Sequence, residues 1–409
     1  MTALSDLLAA LDPLPPNGRV YVSGCGAEIQ GLSEALRHLQ SAGEFELSGI
    51  FVPGVNRCDY SAANPNCRVR TFFMTPQLAK AGDRVNYSPW RYREIARYYA
   101  DHIMDLAVVM LSPPDQHGYC SYGVSADYAP LTLPQARCRI GVINQQMPRV
   151  NGASIHISEL HQTFDIDQPL VTARSVKVDE SSQQIARLVA PLVHDGATIQ
   201  MGLGTIPGAI AMELVDRRNL RIQSGLIEDS VFVLEDAGAL DADYPILAGV
   251  ALGPSDFYQR LNDNSRFDFQ AVTRTHDIES IAKTDDFVAI NGALEVDLLG
   301  QVNSSVLPNG YISGMGGLPE FVQGVHQSKR GRSVIVLNAA TTGADAASRI
   351  VAAVRGNDPS LDASMADIVA TEFGMVSLRD KSGGQRIEAM ISIADPRFRE
   401  SLRDAAKAL

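Results

Sequence analysis

Tryptophan occurs once in 409 residues and aromatic side chains make up only 6%, too few for a base-stacking platform. Positive charge is also scarce. Thirty-five Lys and Arg face 47 Asp and Glu, a formal net charge of −12, so no nucleic-acid partner is expected. An acidic average still leaves room for a local basic pocket and a small phosphorylated ligand. No apolar run approaches the roughly 18 residues of a membrane span. The first sixteen residues, MTALSDLLAALDPLPP, have neither a basic leader nor a long apolar core, so no signal peptide and no membrane partner are expected. Cysteine is sparse and odd in number: Cys25, Cys58, Cys67, Cys120 and Cys138, none spaced as C-x-x-C. Reduced thiols in a cytoplasmic protein, without a metal site, are the plain reading.

What is present is apolar and alternating. At 45% apolar content the chain can build packed cores in two or three domains. Short β-branched runs alternate with helical spacing, the pattern of an α/β fold with mainly parallel sheets. Strands are expected at Arg19–Val22, Leu106–Leu111, Ile140–Asn144, Phe287–Ile290 and Ser333–Leu337, and helices over Ile29–Leu39, from about Trp90 and from about Leu318. Arg91, Arg93 and Arg97 on the second of these helices read as a solvated face.

The stretch from Phe287 to Leu337 organises the rest. Between its two strands, Gly314, Gly316 and Gly317 form a loop without side-chain bulk, where backbone N–H groups can approach a ligand. The following helix aims its positive end at that loop. Glu295 lies just past the first strand, at the edge where open parallel sheets bind ligands. Together these features suit an anionic or carbonyl-bearing ligand.

The chain also echoes itself. VYVSGCGAEIQGLSEAL at 20–36 matches TIQMGLGTIPGAIAMEL at 198–214, pairing Gly24 with Gly202 and Gly26 with Gly204. DLAVVMLSPPDQHGYCS at 105–121 matches DDFVAINGALEVDLLGQVN at 285–303, pairing Gly118 with Gly300. Two ordered echoes predict duplicated open α/β halves, 1–180 and 181–409, with a polar junction near Val178–Ser182.

Several chemistries fall away. Ile29 and Pro207 stand where a dinucleotide fingerprint needs its third small residue, and neither G-x-x-x-x-G-K-[ST] nor G-x-S-x-G occurs. His156 and His161, five apart around Glu159, are badly spaced for a shared metal ion. His117 in PPDQHG is a candidate general base or a hydrogen-bonded turn residue.

SPPDQHGYCSYGVS, IHISEL, MGLGTIPGAI, INGALEVDLLGQVN, SGMGG and TEFG with QRIEAMISIADPRFR, spread between Gly24 and Leu402, resemble successive motifs of the acetyl-CoA hydrolase/transferase proteins. That group includes 4-hydroxybutyrate CoA-transferases and belongs to the family I CoA-transferases. The resemblance implies a homo-oligomeric two-domain α/β enzyme with its site between the halves. Its substrates would be an acyl-CoA, bringing coenzyme A, and a carboxylic acid. A glutamate would attack the acyl-CoA and pass through an anhydride to a glutamyl-CoA thioester. N–H donors would come from the loops Gly202-Leu203-Gly204 and Gly314–Gly317, with Asn291, Gly225, Gly26 and His117 in the substrate pocket.

One position departs from the pattern. Where relatives carry His-Ser/Thr-Glu, with that Glu as nucleophile, this chain reads Gln223-Ser224-Gly225. Glycine forms no anhydride, so Glu228 or Glu295 takes the covalent role, or the enzyme is a hydrolase that cleaves a CoA-linked thioester or C–C bond without a covalent intermediate. A second departure is Gly317-Leu318-Pro319-Glu320-Phe321 in place of G-G-Q-x-D-F, which bears on the acyl group accepted.

Overall fold

In the first half of the chain the strand Leu106–Leu111 is buried along its whole length, as an unbroken LAVVML run requires when helices cover both sheet faces. It lies inside a seven-stranded sheet whose neighbours, in order, are Gln162–Ile166, Cys138–Asn144, Leu106–Leu111, Gly18–Val22, Phe45–Ser48, Cys67–Thr71 and Val85–Tyr87. Every pairing in it is parallel. The computed structural model describes residues 2–173, 178–308, 310–356 and 359–408.

The chain divides into two compact units. The first comprises Met1–Arg174, Leu247–Thr275 and Ile312–Gly314; the second comprises Ser175–Ile246, His276–Tyr311 and Met315–Leu409. Segments 247–275 and 312–314 thus pack with the first unit although they follow residue 180. No helix among the described residues is long and apolar enough to cross a membrane.

Within the second unit the strand order is Gly374–Ser377, Ile368–Thr371, Arg332–Val336, Phe287–Gly292, Thr198–Met201 and Arg221–Ile227. Four of the five pairings are parallel, and only 374–377 runs against its neighbour. The chain order reverses between 198–201 and 287–292, just as it reverses between 18–22 and 106–111 in the first unit. Doubly wound sheets leave a crevice at such a reversal, beyond the carboxyl ends of the strands. The loops Ser23–Gly26 and Gly202–Gly204 sit at those ends.

The turns at the second echo share one hydrogen-bond pattern. After the 106–111 strand, Asp115 Oδ1 accepts the N–H groups of His117 and Tyr119 at 2.8 and 2.9 Å, and Gly118 turns at φ +85. After the 287–292 strand, Asp297 Oδ1 accepts those of Leu299 and Gln301 at 3.0 and 2.8 Å, and Gly300 turns at φ +99. Both turns need an acceptor side chain followed three residues later by a glycine, which explains why the echo survives there.

Some boundaries moved. The helix expected over Ile29–Leu39 covers only Leu32–Leu36, because Gly31 at φ +82 sets its start. The helix Tyr92–Asp101 buries Ile95, Ala96, Tyr98 and Tyr99 and leaves Arg93 and Arg97 exposed, as its spacing predicts.

Candidate active site

The crevice of the second unit is built by strand ends. Thr198–Met201 runs out into Gly202, whose N–H donates to Ile290 O at 2.9 Å. Gly204 at φ +114 then starts the helix Thr205–Glu213, in a backbone conformation that disfavours any side chain. Leu203 between them is exposed. Beneath the loop, Gln200 and Asn291 exchange two hydrogen bonds: Gln200 Nε2 donates to Asn291 Oδ1 at 3.2 Å and Asn291 Nδ2 to Gln200 Oε1 at 2.8 Å. Both side chains are buried, so Asn291 holds the two central strand ends together.

Glu228 closes this loop. It follows the strand Arg221–Ile227, and its Oε2 accepts the Gly204 N–H at 3.1 Å. The other carboxylate oxygen has no hydrogen-bond partner among the described residues. Burial pushes the Glu228 carboxyl from 4.5 up to about 7; the Gly204 N–H pulls it down, and the nearby Asp229 adds a smaller push upward. Desolvation outweighs the hydrogen bond and the helix N-terminus beside it. A carboxyl half-ionised near neutrality, with one oxygen anchored, can attack a carbonyl or take a proton from water.

Glu295 is placed differently. It begins the short strand Glu295–Asp297, which pairs with Val302–Asn303 and Ile350–Val351. Its carboxylate accepts from the Arg355 backbone N–H at 2.6 Å, from the Arg355 guanidinium, and from Asn303 Nδ2 at 3.0 Å. With its side chain 3% exposed and ion-paired, Glu295 resembles a clamp on the 295–303 and 350–355 segments.

Of the glycine loop 314–317, Gly314 belongs to the first unit and residues 315–317 to the second. In the first, a Cβ on Gly314 would collide with the Phe72 carbonyl, so the backbones there touch. In the second, Gly316 turns at φ +64 with open space where a Cβ would be, and Gly317 precedes the helix Leu318–Gln327. That helix buries Phe321 against Phe287 and the core group Ile281, Ala289 and Val325.

One residue that sequence reasoning passed over lies between two that it named. A Cβ added to Gly225 would stand 2.5 Å from His276 Nε2, and one added to Gly317 would meet the same nitrogen still more closely. The His276 ring also packs on Phe321, with centroids 4.8 Å apart. Burial lowers its pKa to about 3, so the imidazole is neutral. Nothing in TRTHDIES points to it: its partners lie about forty and fifty residues away in the sequence.

The first unit holds the remaining predicted positions. Gly26 lies at the end of the 18–22 strand, where a Cβ would press on Tyr258 Oη and Val124 at 3.1 Å. Cys25 at φ +50 is pinned by Asn56, which accepts its N–H at 3.1 Å and donates to its carbonyl at 3.0 Å. Glu28 is buried beside Tyr60, and burial raises its carboxyl pKa. Asp127 is also buried, its carboxyl pushed up to about 7 by desolvation. His117 is exposed, and its carbonyl accepts from His156 Nε2 at 3.0 Å. Among the described residues no three His, Cys, Asp or Glu side chains gather as a cation site.

Comparison with known proteins agrees with this architecture. Family models for the acetyl-CoA hydrolase/transferase N-terminal and C-terminal domains match residues 49–185 and 253–406. The chain is 34% identical to 4-hydroxybutyrate coenzyme A transferase of Clostridium kluyveri, covering 79% of this chain and 78% of that one. It is 31% identical to succinyl-CoA:cyclohexane-1-carboxylate CoA transferase of Geobacter metallireducens, covering 90% and 87%. The crystal structure of RipA from Yersinia pestis superposes with a TM-score of 0.90 at 27% identity, over 99% of this chain and 96% of that one. With two domain models in order and relatives above 30% identity over most of their length, this chain belongs to the acetyl-CoA hydrolase/transferase family of CoA-transferase and acetyl-CoA hydrolase enzymes.

Proposed function

We propose that this protein is an acyl-CoA:carboxylate CoA-transferase for a short-chain acyl group, with Glu228 as the attacking carboxylate. The observation that carries the choice of residue is the Glu228–Gly204 hydrogen bond. It holds a desolvated carboxylate at the mouth of a glycine loop with one oxygen still unengaged. In the first step that oxygen attacks the thioester carbonyl carbon, the C–S bond breaks, and CoA leaves as thiolate. The thiolate then attacks the glutamyl carbonyl of the anhydride, releasing the acyl group as its carboxylate. The incoming acid reverses the sequence. The N–H groups of Leu203, set between two glycines, and of Gly316 make no hydrogen bond among the described residues and suit a developing oxyanion, whereas those of Gly202 and Gly204 are engaged by Ile290 and Glu228. Glu295 is the weaker candidate because its carboxylate is already neutralised by Arg355.

A second reading has its own support. With Gly225 covered by an imidazole, the position that carries the nucleophile in the resemblance holds no carboxylate. Glu228, with a pKa of about 7, is also matched to general-base activation of water, which would make the protein a hydrolase of CoA-linked substrates. Incubation of the protein with butyryl-CoA, with and without acetate, separates the two. Transferase action moves CoA to acetate and releases little free thiol, whereas steady thiol release without an acceptor supports hydrolysis and overturns the first reading. The motif resemblance read from the sequence implies a homo-oligomer, and five unpaired cysteines suit a reducing, cytoplasmic setting.

A further inference from the structure

We propose that His276 is a positioning residue of this site. Its ring is a spacer that sets the 315–317 loop against the end of the 221–227 strand, and Gly225 and Gly317 are glycines because that ring occupies their Cβ space. The inference rests on the acyl-CoA reading for its catalytic consequence, and on packing alone for its structural one.

Three contacts define the seat. A Cβ on Gly225 would run into Nε2 and Cε1, one on Gly317 into Nε2 and Cδ2, and Phe321 packs on the ring at 4.8 Å between centroids. The ring cannot swing away cheaply, since it is buried and its backbone is fixed from both sides. It follows the helical turn Val272–Thr275, and Asp277 caps the next helix by accepting the Glu279 N–H at 3.2 Å. Phe321 is tied back to the same loop, its N–H donating to Gly317 O at 3.2 Å. The loop, the helix behind it and the strand end therefore meet on one imidazole. A ring that must carry no charge among buried aromatic and backbone groups serves as a spacer and hydrogen-bonding body rather than as a proton shuttle.

The catalytic consequence concerns distance. Loop N–H groups stabilise an oxyanion only when held within a few tenths of an ångström of its position. Glu228 leaves the same strand that ends beneath the ring, so shifting His276 changes the spacing between nucleophile and donors. Acyl-CoA binding, spread over a much larger ligand surface, is affected less.

A cycle of His276→Ala, Gly225→Ala and the double variant tests this, with rates per folded molecule and melting temperatures read together. The expected result is a fall in kcat of roughly tenfold or more for each single variant with KM for butyryl-CoA changed by less than about threefold, and a double variant no worse than the poorer single. In the double variant the added methyl and the missing ring no longer compete. Two results overturn the proposal: His276→Ala with wild-type kcat, or single-variant losses that multiply in the double. A fall in melting temperature with unchanged kcat per folded molecule likewise shows a merely structural role and overturns it. If the wild-type protein turns over no acyl-CoA, the acyl-CoA reading fails separately. The melting temperatures then decide the packing: non-additive shifts support the shared seat and additive ones refute it.

Discussion

Glu228 Oε2 and the Gly204 N–H, 3.1 Å apart, join the end of one strand to the first turn of the helix that follows its neighbour. The carboxylate that tethers the loop is also the one whose ionisation is displaced furthest toward neutrality in the second unit's crevice. Tether and chemistry are therefore coupled, and the coupling has measurable consequences.

Replacing Glu228 with Gln keeps the shape of the side chain but removes the nucleophile. A loss in kcat of about a hundredfold or more is expected, with a smaller change in KM. In the wild-type protein kcat/KM should rise as pH increases through about 7, where Glu228 ionises, and that limb should vanish in Glu228→Gln. Steady-state rates between pH 5 and 9 in constant ionic strength check both points.

The same group sets a stability trend whose sign runs opposite to that of a salt-bridged acid. Its pKa is about 7 folded and near 4.5 unfolded, so between those values the folded state holds the extra proton and stability falls as pH rises. Above about 7 the destabilisation is complete. Glu228→Gln should therefore melt above the wild type at pH 8 and converge with it near pH 4, as thermal scans at the two pH values would reveal.

Arg355 carries the opposite burden. Removing it by Arg355→Ala leaves Glu295, 3% exposed, as a buried charge with, among the described residues, only Asn303 and one backbone N–H for partners. Because the arginine side chain is itself 45% exposed, the cost is screened to about 1–3 kcal/mol. Urea denaturation should show that loss, with kcat per folded molecule close to wild type.

Gly300→Ala tests the duplicated turn. At φ +99, with a new Cβ 2.7 Å from Leu378 Cδ1, it should cost about 1–3 kcal/mol. Gly238→Ala, at φ +66 in open space, should cost about 1 kcal/mol. A Gly300→Ala denaturation midpoint equal to wild type would contradict the account of why glycine recurs at 118 and 300, and a loss no larger than that of Gly238→Ala would rule out a cost from the Leu378 contact.

Much of the scaffold was legible because its signals are local. The unbroken apolar runs at 106–111 and 287–290 announce buried parallel strands, and Gly118 and Gly300 mark the repeat because each turn needs its φ. The site was legible only in part. Gly204 and Glu228 were both named, but their hydrogen bond depends on the adjacency of the 198–201 and 221–227 strands. Glu295 and Glu228 looked equivalent until Arg355, sixty residues beyond Glu295, claimed one of them. His276 was invisible, since a single histidine carries no period or spacing and its meaning lies in two distant glycines.

The central claim is that Glu228 becomes acylated or thioesterified during turnover. Peptide mapping by mass spectrometry, after mixing the protein with butyryl-CoA and trapping with borohydride, tests it most directly. The account predicts a modified peptide whose altered residue is Glu228, absent from Glu228→Gln. Turnover with no adduct, or an adduct on Glu295, would contradict it.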